Sequence, residues 1–336
     1  MVEGKPSNEY RELKRLIMKK KILVTGASGF LGSRVVTTLL EQEDVQVFAG
    51  FHTSALGNAI PKACHVRFEN TTIKETLQGL QPLDVIIHLG AISSPGKCEA
   101  DPGLAFATND ASVLVDCIID VAQETLVIFA STDLVYTGTA GGESGERAYH
   151  PCNDSLVKPG NVYAKTKAAG EQNIKRLKHG IVLRLSNMIG KGSGKFFDFI
   201  SGAIKERKKI GLRHDEYRSF VAVDDVVRLI LRIVQAETPV SGTYNVGGPS
   251  ALSRLELAQT LAAAMGVNIA VADSKGECAQ EGDESTWHVH KQSNAAAIEN
   301  SGIFNPADVS MDSSATEVAL LGRAFKSMEA TFRDIL

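Results

Sequence analysis

The sequence predicts an α/β protein built on a doubly wound parallel β-sheet, with a smaller C-terminal lobe. Short runs of β-branched residues alternate with longer amphipathic segments through the first half of the chain. These runs are almost continuously apolar, as strands buried on both faces are. A glycine-rich turn stands between the first run and the first amphipathic segment. Together these patterns favour parallel strands connected by helices.

The predicted elements begin at Lys21, after a leader of 20 residues that we expect to be solvated, because it lacks the apolar core of a signal peptide. The predicted strands are KILVT, VQVFA, HVRF, PLDVIIHLG, TLVIFAS and GIVLRLS. The predicted helices are 30–41, 102–123 and 162–178. After Ser186 glycine-rich turns break the pattern, and we expect a second lobe that caps the open edge of the sheet.

The composition indicates a globular protein without a nucleic-acid or membrane partner. The chain has 336 residues, of which 43% are hydrophobic and 22% charged, and its formal net charge is -3. This charge creates no field that would attract nucleic acid, and no apolar run is long enough to span a bilayer. The five cysteines are widely spaced and include no Cys-x-x-Cys pair, which argues against a disulfide framework or a zinc site. We therefore expect a reducing, cytoplasmic location.

The segment KILVTGASGFLG predicts a dinucleotide site. Three glycines follow the first strand and open the first helix. Glycines at this spacing let the backbone pass close to a pyrophosphate, whose charge is then stabilised by the unpaired amides of the helix N-terminus. The residues expected to line this site are Gly26, Ser28, Gly29, Phe30, Leu31 and Gly32.

The end of the second predicted strand bears on the choice between NADP and NAD. Selection of NAD usually requires an acidic residue there, which accepts a hydrogen bond from the ribose hydroxyl. The segment VQVFAGFHTS offers none. A 2′-phosphate could instead be bound by Arg34, His52, Thr53 and Ser54. Arg34 is equally well interpreted as a solvated helix residue. The sequence favours NADP(H) and leaves NAD(H) open.

Two further motifs carry the predicted chemistry. Tyr163 and Lys167 are four residues apart, so that on a helix both face the same side. A lysine ammonium beside a phenol lowers the pKa of the phenol, which can then exchange a proton with a carbonyl oxygen. The triplet Ser131-Thr132-Asp133 ends the fifth predicted strand, at the edge where open parallel sheets bind ligands. A hydroxyl there could polarise a substrate carbonyl for hydride attack, or only cap the next turn.

The glycine turn, the strand-end hydroxyl and Tyr-x-x-x-Lys together resemble an extended short-chain dehydrogenase/reductase over almost the whole chain from Lys21. The segments STDLVYTG, GNVYAKTKAAGE, IVLRLSNMIG and DVIIHLGAIS are most similar to the dTDP-4-dehydrorhamnose reductase family, which includes the regulatory β-subunit of methionine adenosyltransferase. The resemblance implies an N-terminal extension over 1–20 and an NAD(P)-binding Rossmann domain over 21–185. Residues 186–336 would mainly bind substrate, with some elements packing back on the Rossmann domain.

The resemblance also implies roles for individual residues. Thr132, Tyr163 and Lys167 would form the catalytic set, in which Tyr163 donates the proton and Lys167 also binds the nicotinamide ribose. Further implied cofactor contacts are Leu89, Gly90, Ala91 and Asn109. We expect the two arginines of the substrate set to grip a diphosphate through paired hydrogen bonds. The expected substrate contacts are Ser131, Asp133, Asn187, Arg213 and Arg218.

Two segments depart from this pattern or suggest another site. Residues 139–158 are longer and richer in glycine than expected at the position of a substrate lid. His288 and His290 are two residues apart, with Asp283 and Glu284 upstream. They lack further ligands at a metal-binding spacing, and we expect no metal site.

Three functions remain open on the sequence. The leading hypothesis is an NADP(H)-dependent reductase acting on the 4-keto group of a nucleotide-linked deoxysugar. The second is a regulatory subunit that binds NADP and modulates a partner enzyme such as methionine adenosyltransferase. The third is a nucleotide-sugar epimerase or dehydratase of the extended family. By analogy with this superfamily, helices 102–123 and 162–178 would form a homodimer interface.

Overall fold

The computed structural model describes residues 19–52, 56, 60–136, 138, 149–192, 196–237, 240–273 and 286–336. Strands and helices alternate through the N-terminal half. The strands there are β1 (Lys20–Thr25), β2 (Val45–Phe51), β3 (His65–Arg67), β4 (Val85–His88), β5 (Leu126–Thr132) and β6 (Gly180–Leu185). The helices are α1 (Phe30–Leu40), α2 (Ile73–Leu80), α3 (Pro95–Ala100), α4 (Pro102–Asn109), α5 (Ser112–Val121) and α6 (Val162–Ile174).

The C-terminal half consists of shorter strands between helices. Its strands are β7 (Met188–Ile189), β8 (Ile210–Arg213), β9 (Tyr217–Ser219), β10 (Val221–Ala222), β11 (Gly242–Val246), β12 (Ala251–Ser253), β13 (Asn268–Ala272) and β14 (Thr286–Gln292). Its helices are α7 (Phe196–Lys205), α8 (Val223–Gln235), α9 (Arg254–Ala264), α10 (Asn294–Ser301), α11 (Ser314–Thr316) and α12 (Met328–Ile335).

Seven parallel strands form the central sheet in the order β11-β6-β5-β4-β1-β2-β3, which confirms the predicted doubly wound α/β fold. The order reverses between β1 and β4, and this reversal leaves a crevice beyond their carboxyl ends where such folds bind ligands. The edge strand β11 comes from the C-terminal half and pairs with β6. The Rossmann sheet is therefore completed by residues far beyond Leu185.

Both faces of the sheet are covered by apolar layers. Ile22 and Val24 of β1 belong to one buried cluster, which includes residues of α1 and α8. Leu23, between them, belongs to a second cluster on the opposite face, which includes residues of α2 and α5. All three side chains are fully buried. Successive strand residues point to opposite faces, so a strand covered on both sides is apolar at every position.

The predicted helix 102–123 is wrong as a single element, because it is two helices, α4 and α5. Asp110 accepts hydrogen bonds from the backbone N–H and the hydroxyl of Ser112, at 2.9 and 2.8 Å. Ala111 between them adopts a left-handed backbone conformation, with φ of 55°. An aspartate that bonds two residues onward forms a turn that competes with the helix, and it ends α4 there.

The C-terminal lobe has its own apolar core. Small sheets β12-β9 and β13-β14-β8 pack with α7, α9 and α12 around the fully buried Trp287. Across the described ranges, no helix has both the length and the apolar character needed to cross a membrane.

Candidate active site

A cavity of about 630 Å³ opens beyond the carboxyl ends of β1, β4, β5 and β6. One side is formed by the glycine turn and by the residues that follow these strands. The other side is formed by the C-terminal lobe, through the start of α7, the start of α9 and residues 301–305. The catalytic and substrate residues predicted from the sequence all line this one cavity.

The glycine turn brings two backbone segments into close approach. A Cβ atom on Gly26 would lie 2.7 Å from the backbone nitrogen of Gly90, and one on Gly32 would lie 2.1 Å from the carbonyl oxygen of Gly26. Gly26 also has a φ of 66°, in the region that favours glycine. Gly29 precedes α1 and supplies no side-chain cap to its first amides. These features fit the cradle that a dinucleotide pyrophosphate requires.

Most predicted cofactor residues line the cavity, namely Gly26, Gly29, Phe30, Leu31, Gly32, Leu89, Ala91, Tyr163 and Lys167. Gly90 lies directly behind Gly26. Ser28 is an exposed residue of the turn, and His52 is exposed just after β2. Thr53 and Ser54 lie outside the described residues.

Arg34 contacts a different part of the protein. Its guanidinium donates to the carbonyl oxygens of Phe30 and Lys191, at 2.9 and 2.5 Å, and lies 4.2 Å from the centroid of the Phe30 ring. It lines a second, smaller cavity of about 240 Å³ instead of the main one. Arg34 thus contacts one predicted cofactor residue, Phe30, while its guanidinium borders the smaller cavity.

Asn109 supports the loop after β4 and does not line the cavity. Its side chain is fully buried, where it accepts from the backbone N–H of Ile92 at 2.8 Å and donates to the carbonyl oxygen of Ile92 at 3.1 Å. It also donates to the hydroxyl of Thr166 on α6 at 3.0 Å. Asn109 thus connects the cofactor loop to the helix that carries Tyr163.

Thr132, Tyr163 and Lys167 all line the cavity. The Asn161 side chain accepts from the backbone N–H of Ala164 at 2.9 Å and so starts α6 just before Tyr163. Lys167 lies one turn later, with its ammonium 3.8 Å from the centroid of the Phe129 ring.

Burial controls the protonation of Tyr163 and Lys167. Burial lowers the pKa of Lys167 to about 7, and the charge of Glu171 only partly opposes this shift. Burial, followed by the negative charge of Asp133, raises the pKa of Tyr163. The predicted lowering of the phenol pKa by the neighbouring lysine is therefore wrong, and the site keeps the phenol protonated.

His88 and Thr25 hold the start of the cofactor loop, and sequence reasoning missed both. The hydroxyl of Thr25 lies 2.8 Å from Nδ1 of His88 and accepts from the backbone N–H of Gly90 at 3.2 Å. Burial, reinforced by the charge of Lys167, lowers the pKa of His88 to about 3. His88 is thus a neutral structural residue under the loop.

Behind the strand-end triplet lies the buried ion pair of Glu171 and Arg184, which extends outward to the more exposed Asp154 and Lys175. Ser131 donates to Oε1 of Glu171 at 2.5 Å. Nη2 of Arg184 donates to Oε2 of Glu171 at 2.6 Å and to Asp154 at 2.8 Å, and its Nη1 donates to the hydroxyl of Tyr136 at 3.0 Å. We call the following residues the inner cluster: Tyr136, Asp154, Glu171, Lys175 and Arg184. The Ser131 hydroxyl is thereby used within the protein, although the residue borders the cavity.

A second charged group lies on the cavity side. Nη1 of Arg218 donates to Oδ2 of Asp133 at 2.9 Å, and its Nε donates to Glu216 at 3.0 Å. Glu216 is also paired with Arg254 at 3.0 Å and with Arg213. We call the following residues the cavity cluster: Asp133, Arg213, Glu216, Arg218 and Arg254.

The cavity cluster carries more positive than negative charge. Its three guanidinium groups and two carboxylates give a net charge of +1. Arg218 is almost fully buried, whereas the side chains of Arg213 and Arg254 are 27% and 24% exposed. Burial lowers the pKa of Arg254, because Glu216 is shared among three arginines and compensates its charge incompletely. Within the cavity cluster, Arg213 and Arg254 are therefore the guanidinium groups more accessible to a ligand than Arg218.

Sequence reasoning missed Glu171, Arg184, Glu216 and Arg254. Arg184 did leave a signal, because a charged residue inside the apolar strand GIVLRLS must have a buried partner. Asn187, which was predicted, follows β6 and borders the cavity.

No group of three or more histidine, cysteine or acidic residues within the described part of the chain could hold a metal ion. His290 packs against Gly211, since a Cβ there would lie 2.6 Å from its Nε2. Asp283, Glu284 and residues 139–148 of the predicted lid lie outside the described residues.

The chain is similar in sequence to several characterised proteins. The chain is 29% identical to dTDP-4-dehydrorhamnose reductase of Salmonella typhimurium over 181 residues, which covers 52% of this chain and 57% of that protein. It is 26% identical to methionine adenosyltransferase 2 subunit beta of Xenopus laevis over 255 residues, covering 73% and 72%. Relatives of similar identity include a UDP-glucuronic acid decarboxylase and a dTDP-L-rhamnose 4-epimerase.

The fold matches solved structures of similar proteins. The structure of dTDP-4-dehydrorhamnose reductase from Bacillus anthracis in complex with NADP superposes with a TM-score of 0.72 at 20% identity, covering 95% of this chain and 99% of that one. The profile of the RmlD substrate binding domain matches residues 19–299. The chain belongs to this family, and the predicted similarity to the dTDP-4-dehydrorhamnose reductases is confirmed.

Proposed function

We propose that the protein is an NADP(H)-dependent oxidoreductase that reduces the 4-keto group of a nucleotide-linked deoxysugar. The observation that carries this proposal is the convergence, in one cavity, of the glycine cradle, the set Thr132, Tyr163 and Lys167, and the partly exposed guanidinium groups of the cavity cluster. A dinucleotide, a carbonyl and a diphosphate require these three kinds of group.

The phenol of Tyr163 has the properties of a proton donor. A bound reduced nicotinamide would supply the hydride. The chain itself must then deliver a proton to the carbonyl oxygen, and the raised pKa of Tyr163 keeps that proton in place. Lys167, whose pKa is lowered to about 7, would contact the nicotinamide ribose from the next turn of α6.

The diphosphate of the substrate would meet Arg213 and Arg254. Both are partly exposed at the cavity and share the single carboxylate of Glu216. Arg218 was expected in this role, but its guanidinium is shared among Asp133, Glu216 and Asn305. We therefore assign the phosphate contacts to Arg213 and Arg254, with Arg218 behind them.

Support for NADP(H) comes from the end of β2 and from the neighbour in the comparison. No carboxylate follows β2 in the sequence GFHTS, and the similar reductase of Bacillus anthracis was solved with NADP. Because Arg34 is bonded elsewhere, a 2′-phosphate would rely on His52 and its neighbours. NAD(H) is the alternative cofactor.

The decisive experiment follows nicotinamide absorbance with purified protein, NADPH and a dTDP-4-keto-6-deoxysugar, and repeats the assay with NADH. We expect the protein to oxidise NADPH faster than NADH. In Tyr163→Phe, the rate of NADPH oxidation should be about 10²–10⁴-fold lower. Tyr244→Phe is the matched control, because that hydroxyl donates to the carbonyl oxygen of Ser241 and Tyr244 is not among the residues that line the cavity. Full activity in Tyr163→Phe would contradict the proposal, and tightly bound NAD would favour an epimerase or dehydratase.

A regulatory role is the second candidate, and the similarity to methionine adenosyltransferase 2 subunit beta favours it. Four large apolar side chains on α4 and α5 are 36–55% exposed: Leu104, Phe106, Val113 and Ile119. These exposed apolar side chains would serve either a homodimer or a protein partner.

Size-exclusion chromatography distinguishes a homodimer from a complex with a partner. The protein would be analysed alone and with a methionine adenosyltransferase catalytic subunit. A complex that Phe106→Glu abolishes, while Val318→Glu on an exposed residue elsewhere does not, would support the regulatory role. A dimer that forms without the subunit, and no complex with it, would contradict that role.

A further inference from the structure

We propose that Asn161 is a positioning residue that connects α6 to the C-terminal lobe, so that a ligand bound at the lobe sets the place of Tyr163. The connection runs through residues 301–305, which we call the lobe segment and which border the cavity with all residues but Gly302. The inference rests on the proposed reductase, because it gives Asn161 a part in the same reaction without contact to the reacting atoms.

The side chain of Asn161 makes hydrogen bonds to two different parts of the fold. Its Oδ1 accepts from the backbone N–H of Ala164 at 2.9 Å, in the first turn of α6. Its Nδ2 donates to the carbonyl oxygen of Phe304 at 3.1 Å, 143 residues away in the chain. A helix cap needs only the acceptor, which serine or aspartate supplies as well as asparagine does. The donor of Asn161 is therefore the part of the side chain that serves the lobe segment.

The lobe segment packs against the Rossmann domain beside two glycines. A Cβ atom on Gly160 would lie 2.0 Å from Cδ1 of Phe304, so the ring occupies the space that a side chain would need directly before α6. A Cβ atom on Gly96 of α3 would lie 3.7 Å from Cδ1 of Ile303. Phe304 is still 44% exposed. The hydrogen bond to its carbonyl oxygen thus adds a fixed point that packing alone does not provide.

The other end of the lobe segment is bonded to the cavity cluster. Oδ1 of Asn305 accepts from Nη2 of Arg218 at 3.2 Å. Nδ2 of Asn294, on α10, donates to the carbonyl oxygen of Asn305 at 2.9 Å. The carbonyl of Phe304 and the backbone nitrogen of Asn305 belong to one peptide group. A single peptide group therefore joins Arg218 of the cavity cluster to the residue that begins α6.

This connection gives the lobe an influence on the phenol. Binding energy from a part of the substrate far from the reacting carbonyl can be used to orient the groups that react. A diphosphate bound by Arg213 and Arg254 would fix the cavity cluster and with it the lobe segment. Asn161 would transmit that order to the turn of α6 that carries Tyr163. Loss of the connection should therefore slow the reaction more than it weakens substrate binding.

Asn161→Ser is the first test, because serine keeps an acceptor for the cap and lacks the amide donor. With NADPH and the dTDP-4-keto-6-deoxysugar, we expect kcat to fall about 10- to 100-fold while KM stays within about twofold. Asn173→Ser is the matched control and should keep kcat, because it removes an amide bond to the carbonyl oxygen of Asp110 from the other end of α6. An unchanged kcat in Asn161→Ser, with or without a higher KM, overturns the proposal.

A second substitution in the same connection sharpens this test. Asn305→Ala breaks the bond to Arg218 at the cluster end. Because both changes interrupt one connection, the double variant should lose no more kcat than the more damaged single variant, whereas independent losses multiply. Multiplied losses would contradict the proposal. If Asn161→Ser does not fold, Gly160→Ala replaces it, since its methyl group must displace the Phe304 ring. Normal kcat in that variant would equally contradict the proposal.

A measurement without turnover separates this inference from the reductase. With 3-fluorotyrosine incorporated at position 163, the ¹⁹F resonance reports the surroundings of the phenol, and dTDP alone serves as the probe for the cavity cluster. We expect saturating dTDP to shift the resonance in the unsubstituted protein and in Asn173→Ser, but much less in Asn161→Ser. Equal shifts in all three proteins, or no shift in the unsubstituted one, overturn the connection. The expected shifts without NADPH oxidation would refute the reductase and leave the connection standing.

Discussion

The inner cluster contacts the strand-end triplet through Ser131, whereas the cavity cluster includes Asp133 of the triplet, and both clusters contain arginines paired with carboxylates. In the inner cluster, Arg184 and Lys175 balance Glu171 and Asp154. In the cavity cluster, three guanidinium groups share two carboxylates. Balanced buried charge supports the fold, whereas surplus charge at a cavity is available to a ligand. Charge balance and access to the cavity, more than residue type, distinguish the two.

Arg184 and Arg254 show the same difference in their protonation. Burial disfavours the charge of Arg184, but the hydrogen bonds and charge of Glu171 outweigh it, and the net effect raises the pKa of Arg184. For Arg254 burial prevails over Glu216, and the pKa is lowered. A ligand phosphate would add to the negative charge with which Glu216 only partly compensates the Arg254 guanidinium.

The largest expected effect is on stability, in the inner cluster. Glu171→Leu removes the partner of the fully buried Arg184, and we expect the free energy of unfolding to fall by about 3–5 kcal/mol. Urea denaturation measures this change. Lys175→Met, at the exposed edge of the same cluster, should cost less than about 1 kcal/mol. Equal losses in the two variants would show that the inner cluster does not act through buried charge.

A smaller effect on binding is expected in the cavity cluster. Arg254→Met removes a partly exposed guanidinium, and KM for the nucleotide sugar should rise by about tenfold or more, since a charged hydrogen bond contributes about 1.5–3 kcal/mol. Unfolding should change little, because Glu216 keeps Arg213 and Arg218. Arg228→Met is the control, because it removes a half-exposed guanidinium outside the cavity lining whose buried partner, Asp225, keeps Arg323. A large loss of stability without a change in KM would show that Arg254 stabilises the fold and does not bind the substrate.

The last effect concerns the pH dependence of stability that is expected from Lys167. Its pKa is about 7 in the folded protein and near 10.5 when unperturbed. The unfolded chain therefore binds more protons from about pH 7 to 10.5, and stability should rise with pH across that window. The penalty of burying the charged form is fully present below pH 7.

Urea denaturation as a function of pH checks this prediction. The rise in stability between pH 7 and 10 should be smaller in Lys167→Met than in the unsubstituted protein. We also expect the affinity for NADP(H) to weaken by less than about tenfold between pH 6 and 8, as the ammonium loses its proton. An identical slope in Lys167→Met would assign the pH dependence to another group.

The sequence by itself determined the elements whose physics is local. The glycine turn needs residues without a Cβ at adjacent positions, the pair Tyr163 and Lys167 needs only the helical repeat, and strands buried on both faces are apolar at every residue. Each of these constraints acts within a few residues of the chain, so it can be recognised in the amino-acid sequence. The fold class, the glycine turn and the placement of Tyr163 and Lys167 on one helix face follow from them.

Only the tertiary structure decided which polar groups meet. Asp133 and Arg218 are 85 residues apart in the chain, and Ser131 and Glu171 are 40 apart. Arg34 donates to the carbonyl oxygen of Lys191, 157 residues away, a contact that the sequence does not reveal. Local patterns predict that a buried charged residue has a partner of opposite charge. They do not identify which of the many arginines and carboxylates that partner is. That selection depends on how the strands, helices and C-terminal lobe pack, which also decides whether a cluster supports the fold or faces the cavity.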